Sequence, residues 1–247
     1  MVIPFNPSYY ETDINAEYAK ADNNTKVSQA KDFAKFGLEK NVKARIVTGS
    51  GKKKDGLNEY ASDAEADINK IYESITYQYE KRDNKYAQKN SLIGGLLKKL
   101  QSSEKAKEAY KSDEKHKEYL NVTVTDPQLL PKMAEKYGIE LFVFINSYEI
   151  YTNYKKVIDP VNKVYQRQIK LHFSIFDATG DQIYGDVAIL SFQGVSKDID
   201  ELILNRFPMV ANYVSNAAAG AQQGDVESKP ANAPTNPNKG SNSAEEE

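Results

Sequence analysis

Few residue types in this chain could do chemistry, and their spacing limits what that chemistry is. The 247-residue sequence holds no cysteine and two histidines, His116 and His172. Thiolate catalysis, disulfides, cysteine metal centres and a lipid anchor on an N-terminal cysteine are therefore excluded for the chain as given, and a multi-histidine metal site cannot be built. His116 sits in a lysine-rich stretch and reads as solvated. His172 falls on the polar side of an alternating strand, with Gln168, Lys170 and Ser174. A catalytic histidine needs an orienting carboxylate and a nucleophile; neither is evident around it, so an exposed structural histidine is expected. Glu149, Asp177 and Asp186 are the carboxylates that a hydrolase could use, but such work needs two acids at a set distance. Asp63, Glu65 and Asp67 crowd the start of a helix. Alternate helix positions do not converge on one ion, whereas carboxylates there favour the positive end of the helix dipole.

The run Gly49-Ser50-Gly51-Lys52 suggests a phosphate-binding loop. That motif needs glycine five residues before the Gly-Lys pair and Ser or Thr directly after the lysine. Ile46 and Lys53 occupy those positions, so 48–56 reads as a solvated loop. No catalytic, cofactor-binding or metal-binding residue is assigned.

Composition narrows the class further. The formal net charge is −2 with 28% charged and 40% hydrophobic residues, so no overall basic field points to nucleic acid. No apolar run is long enough for a membrane-spanning helix, and no signal peptide is visible. The chain nevertheless opens on a strand-like run, Val2-Ile3-Pro4-Phe5, which suggests a mature chain from which a leader was removed.

The elements that would position these residues follow from periodicity. After the turn-rich Asn6-Pro7-Ser8, Thr25 can cap a helix whose inner face carries Val27, Ala30, Phe33, Ala34, Gly37 and Leu38. Residues 44–47 extend it or add a strand. Ser62 and Glu65 have capping-box spacing, and Ala64, Ile68, Ile71, Tyr72, Ile75 and Tyr79 predict one helix over 62–79. Residues 81–118 carry 11 Lys/Arg against 6 Asp/Glu. Within them Leu92, Ile93, Leu96, Leu97 and Leu100 form a short amphipathic stretch that either docks on the domain or meets a partner groove or anionic membrane surface.

Residues 121–124 suggest a short strand. Asp126 and Pro127 open a helix with a Leu129, Leu130, Met133, Ala134, Tyr137 stripe, closed by Gly138. Residues 139–150 form a buried strand, apolar on both faces from Leu141 to Ile145 and hence central, which Tyr148 to Lys156 extend. Strands over 165–176 and 182–192 follow, joined by the turn at 177–181. Ser196 caps a last helix lined by Ile199, Leu202, Ile203, Phe207, Val210, Tyr213 and Val214, with Pro208 restarting or kinking it. Residues 221–247, poor in large apolar side chains, read as disordered. The fold class is α/β (α+β): a mixed sheet of about four or five strands, an N-terminal strand, antiparallel C-terminal hairpins and packed helices. One domain spans 1–220, with the charged insertion at about 81–118.

Three segments carry a resemblance. Val2-Ile3-Pro4-Phe5 resembles the first strand of the TolB N-terminal domain and of CsgG-type curli-secretion proteins. Residues 134–145 (AEKYGIELFVFI) resemble that group's helix-to-strand step, and 169–187 its following hairpin. The chain also resembles exported proteins of Bacteroidetes-type bacteria. The helix at 62–79, the insertion at 81–118 and the missing lipidatable cysteine depart from the group pattern. The resemblance implies an exported or periplasmic cell-envelope domain that works by protein contact and does no chemistry; composition alone leaves a cytoplasmic one open.

The expectation is a non-enzymatic interaction or assembly domain with an envelope protein as partner, no nucleic acid, no cofactor and no evident small-molecule substrate. Its expected contact surfaces are the tyrosine-rich strand end (Tyr148, Tyr151, Tyr154) and the insertion at Leu92, Leu96 and Leu97, where peripheral membrane contact is also conceivable. The rival readings are a carboxylate hydrolase and a nucleic-acid-binding module.

Overall fold

The computed structural model describes residues 1–14, 27–49, 62–81, 118–194 and 202–227. Its centre is β5 (Leu141–Asp159), paired antiparallel with β6 (Val164–Asp177), which pairs antiparallel with β7 (Gln182–Gln193). On the other edge of β5, β1 (Val2–Ile3) and β2 (Tyr10–Thr12) run parallel to it in succession. The result is a mixed five-stranded sheet. Residues 141–150 of β5 are buried without interruption, as a run apolar on both faces requires of a central strand. The turn into β7 is fixed by Asp177, whose Oδ1 accepts from Thr179 N at 2.9 Å and Asp181 N at 3.0 Å. Gly180 there takes φ +90°, a conformation that L side chains rarely adopt.

One face of the sheet is covered by α1 (Val27–Gly49) and α4 (Phe207–Glu227). Ala30, Ala34, Leu38 and Val42 form the buried row of α1, so the helix extends through 44–47 and adds no strand. Phe33 was expected on that face but stands exposed; it lies at the flank of the i, i+4 row that makes the contact. Gly37 lets the helices approach closely: a Cβ there would sit 3.1 Å from Ile203 Cγ1 and the Phe207 ring. A single π turn, Leu202–Arg206, hands over to α4 at Phe207 and Pro208. The proline, lacking an N–H, is placed at the start of the α-helix and does not kink its middle. The helix runs on to Glu227, with Ala221 buried, so the tail expected from 221 does not begin there; 228–247 lie outside the described residues. Ser196 and Ile199 lie outside the described residues.

The opposite face is covered by α2 (Ser62–Glu73), α3 (Leu129–Tyr137) and a two-stranded antiparallel ribbon of β3 (Ile75–Lys81) and β4 (Glu118–Val124). A single helix over 62–79 is therefore wrong. Helix α2 stops at Ser74, whose N–H bonds Ile71 O at 3.0 Å and whose carbonyl accepts from Thr125 N at 2.8 Å. Ile75 and Tyr79 fit the helical spacing, but with Tyr77 they also satisfy a period of two, and β-branched and aromatic residues favour the strand once a partner strand exists. The partner, β4, is longer than the expected 121–124. The insertion at 81–118 joins the two ribbon strands; 82–117, with Leu92, Leu96, Leu97 and His116, lie outside the described residues. Helix α3 begins at Leu129, two residues later than expected, because Asp126 forms a turn with Gln128 N (2.9 Å). It ends as expected on Gly138 at φ 62°.

Asp67 pins α2 to α3. It is buried and accepts from Lys70 Nζ (2.8 Å), Lys136 Nζ (2.6 Å) and Tyr137 OH (2.6 Å). The bonds from Lys136, Lys70 and Tyr137 hold its carboxyl far below the usual range, against the opposing effect of burial. A carboxyl whose pKa is depressed on folding contributes stability above its unfolded value, 3.8, that is lost as pH falls toward the folded one. The thermal midpoint of the native chain should therefore fall more steeply below pH 3.8 than that of Asp67→Asn. Parallel acid-melting curves for the two would contradict this.

The ribbon lies close on the sheet at Gly185. A Cβ there would meet Tyr119 Oη at 2.4 Å and its ring carbons at 2.7 Å, and Tyr119 is itself buried. Gly185→Ala should cost about 1–3 kcal/mol by overpacking, and Tyr119→Leu in the same chain should recover part of it in denaturant melts.

Candidate functional site: a polar seam and an exposed arm

The polar side of β6, expected to face water, is instead the floor beneath the ribbon. His172 and Ser174 are buried there. The outer backbone edge of β4 is met by side chains of the sheet, not by another strand. Leu120 N donates to His172 Nδ1 at 2.8 Å, and Leu120 O accepts from Asn146 Nδ2 at 2.8 Å. Asn146 reaches the ribbon because a bulge between Ile145 and Ser147 inserts it opposite no residue of β6. Asn146 also donates to Ser174 Oγ at 2.7 Å, Ser174 donates to Asn121 Oδ1, and Gln182 Nε2 donates to the same oxygen at 2.9 Å. Asn146 Oδ1 and Ser147 Oγ are buried with no hydrogen-bond partner among the described residues.

At the open end of this seam Glu149 lies 3.0 Å from His172 Nε2 and 3.6 Å from Lys170 Nζ. Burial alone would raise the Glu149 carboxyl, but His172 and Lys170 together hold it below its ordinary value. The orienting carboxylate that sequence spacing did not reveal is thus present, as the cross-strand neighbour of Lys170. An imidazole nitrogen that accepts the Leu120 N–H carries no proton, so the ring proton is on Nε2, which faces Glu149. Nδ1 is committed to the ribbon, while Nε2 is buried 3.0 Å from Glu149 without forming a hydrogen bond to any described residue. Around its mouth, Tyr151 donates to Glu11, and burial, this bond and the charge of Glu149 raise its phenol. Tyr79 is raised by burial and by Glu149, Glu11 and Glu118.

The three carboxylates considered for hydrolysis are not brought together. Glu149 is on the ribbon face, and Asp177 is spent on its own turn. Asp186 is on the helical face, where it accepts from Tyr213 OH at 2.6 Å.

The expected tyrosine surface divides. Tyr148 is 1% exposed and belongs to the core, its ring beside those of Phe5 (6.1 Å), Tyr10 (5.6 Å) and Phe207 (5.8 Å), so it is no surface residue. Tyr151 is half-buried over Lys170. Tyr154 is exposed, its ring edge-on to Tyr165 at 5.2 Å. Tyr154 belongs to an arm that sequence reading did not isolate. Strand β2 ends opposite Ile150 and β7 opposite Gln166. Beyond them Asp13 still meets Thr152 N and Gly194 N still meets Tyr165 O. Among the described residues, 153–164 of the β5–β6 hairpin therefore extend past both neighbours. The arm carries exposed Tyr154, Val157, Ile158 and Val161, the last 89% exposed. These are half of the eight large apolar side chains exposed among the described residues. Lys155, Lys156 and Lys163 stand exposed among them. The signal was present in the sequence as a charged, apolar stretch around Asp159-Pro160, but only strand lengths show that no described strand flanks it.

Among the described residues no group of three side chains could hold a metal ion, and no helix is long and apolar enough to cross a membrane. No family model, curated protein or solved structure matches this chain.

Proposed function

We propose that this chain is a non-enzymatic contact domain, an accessory or assembly factor exported to a bacterial cell envelope, and that the β5–β6 arm is its contact element. The envelope placement rests on the resemblance of residues 2–5, 134–145 and 169–187 to TolB and CsgG-type domains. The contact role rests on one observation: exposed apolar side chains are concentrated on an arm that projects past the sheet. Exposed apolar groups in one place carry a hydration cost that binding removes, and an arm that supports no buried core is retained for what it touches.

A photo-crosslinking residue at position 158 or 161 tests this in whole envelope extract. Adducts should form there and not at Thr179, which is exposed on the turn at the other end of β6. Equal labelling at all three positions, or none, would remove the arm from consideration.

A further inference from the structure

We propose that the tip of the β5–β6 arm docks on an anionic lipid surface, its apolar side chains entering the interface and its lysines meeting the headgroups. This rests on the contact role of the arm and names what the arm contacts. The backbone edges of the arm are poorly suited to pairing with a partner strand. Register shifts between Asn153 and Val157 and between Val157 and Asp159 break the ladder. Between the paired positions Asn153↔Gln166 and Val157↔Tyr165, residues 154–156 are extra on β5. Bulges and lysines on an edge are features that prevent strand addition, and this arm has both: the shifts, and Lys155 and Lys156. Contact must then be made by side chains. Those available are Val157, Ile158 and Val161, with Tyr154 and Tyr165 behind them. Tyrosine suits the boundary between headgroups and acyl chains because its ring is apolar and its hydroxyl polar.

Charge points the same way. The chain as a whole is net −2, yet residues 153–164 hold three lysines against one aspartate. That aspartate is turned inward on the hairpin: Asp159 accepts from Val161 N at 2.9 Å, Asn162 N at 3.0 Å and Asn162 Nδ2 at 2.7 Å. The next carboxylates, Glu11 and Asp13, are at the base of the arm, bonded to Tyr151 and to Thr152 N. Among the described residues, the lysines therefore stand exposed without a competing anion at the tip. An apolar tip ringed by cations fits an interface that is apolar inside and anionic outside.

The test is co-sedimentation of the full chain with neutral phosphatidylcholine vesicles and with mixed phosphatidylcholine–phosphatidylglycerol vesicles. Binding should require the anionic lipid and weaken in high salt. Each of Lys155→Gln, Lys156→Gln and Lys163→Gln should lower the partition coefficient about fivefold. Ile158→Ser and Val161→Ser should each lower it about tenfold, with the melting midpoint unchanged because both side chains are exposed. Binding that these variants leave undiminished would overturn the proposal, since another segment would then be responsible. Equal binding to neutral vesicles would overturn the electrostatic part. Self-association lost in Val161→Ser, without vesicle binding, would assign the arm to a second copy of the chain. Crosslinking of the arm to an envelope protein without vesicle binding would keep the contact role and remove the lipid. Failure of both experiments would remove both.

Discussion

Tyr148→Ala should destabilise the domain by about 3–5 kcal/mol, the range for truncating a large aromatic in a close-packed core. Tyr148 is buried where β2, β5 and α4 meet, packed against Phe5, Tyr10 and Phe207. Removing the ring leaves a cavity that three separate elements would have to collapse together, and the sheet holds two of them in fixed register. Tyr154→Ala, four residues past the point on β5 where β2 ends, should change stability by less than about 0.5 kcal/mol, as expected of an exposed side chain. Urea denaturation of the two variants decides the matter. Similar losses in both would mean that the arm packs on the domain, and would remove the ground for treating it as a free contact element.

The second large effect is expected at His172. Replacement by leucine keeps the volume roughly constant but leaves Leu120 N without its acceptor and Glu149 facing an apolar group. A cost of about 2–4 kcal/mol follows from one buried donor left unpaired and one carboxylate losing a partner. Glu149→Gln should cost less, because an amide oxygen can still face the Nε2 proton and the Leu120 N–H keeps its acceptor. Nitrogen-15 spectra of the native chain should show His172 protonated at Nε2 and bare at Nδ1. The opposite tautomer would break the account of the ribbon's attachment, since Nδ1 could then not accept the Leu120 N–H. Loss of stability in His172→Leu should come with faster amide exchange in β4, because that strand is tied to the sheet by side chains of β5, β6 and β7 and not by a backbone ladder.

The same seam bears on chemistry. A histidine, a glutamate, a lysine and a serine are close together there, a set that invites a catalytic reading. One imidazole nitrogen accepts from the ribbon, and the other lies 3.0 Å from a carboxylate that also meets Lys170.

Local pattern alone determined much of this fold. The apolar run at 141–145, the alternation of Ile169, Leu171, Phe173 and Ile175, the Asp177 to Asp181 turn and the glycine after α3 each depend on a few consecutive residues. Their backbone geometry and burial are dictated by side chains within reach of one another. The mixed five-stranded sheet follows from those elements.

What only tertiary structure decided are the features that depend on a distant partner. Residues 75–81 fit both a helical and a strand period, and β4, contributed from beyond residue 117, settled them as strand. The polar alternation at His172 and Ser174 reads as a solvated face until a ribbon with unpaired backbone groups is laid over it. Tyr148 and Tyr154 are alike in sequence, but one faces α4 and the other lies past the last neighbouring strand. Burial of a polar or aromatic group is a property of what covers it, and the covering element is encoded elsewhere in the chain.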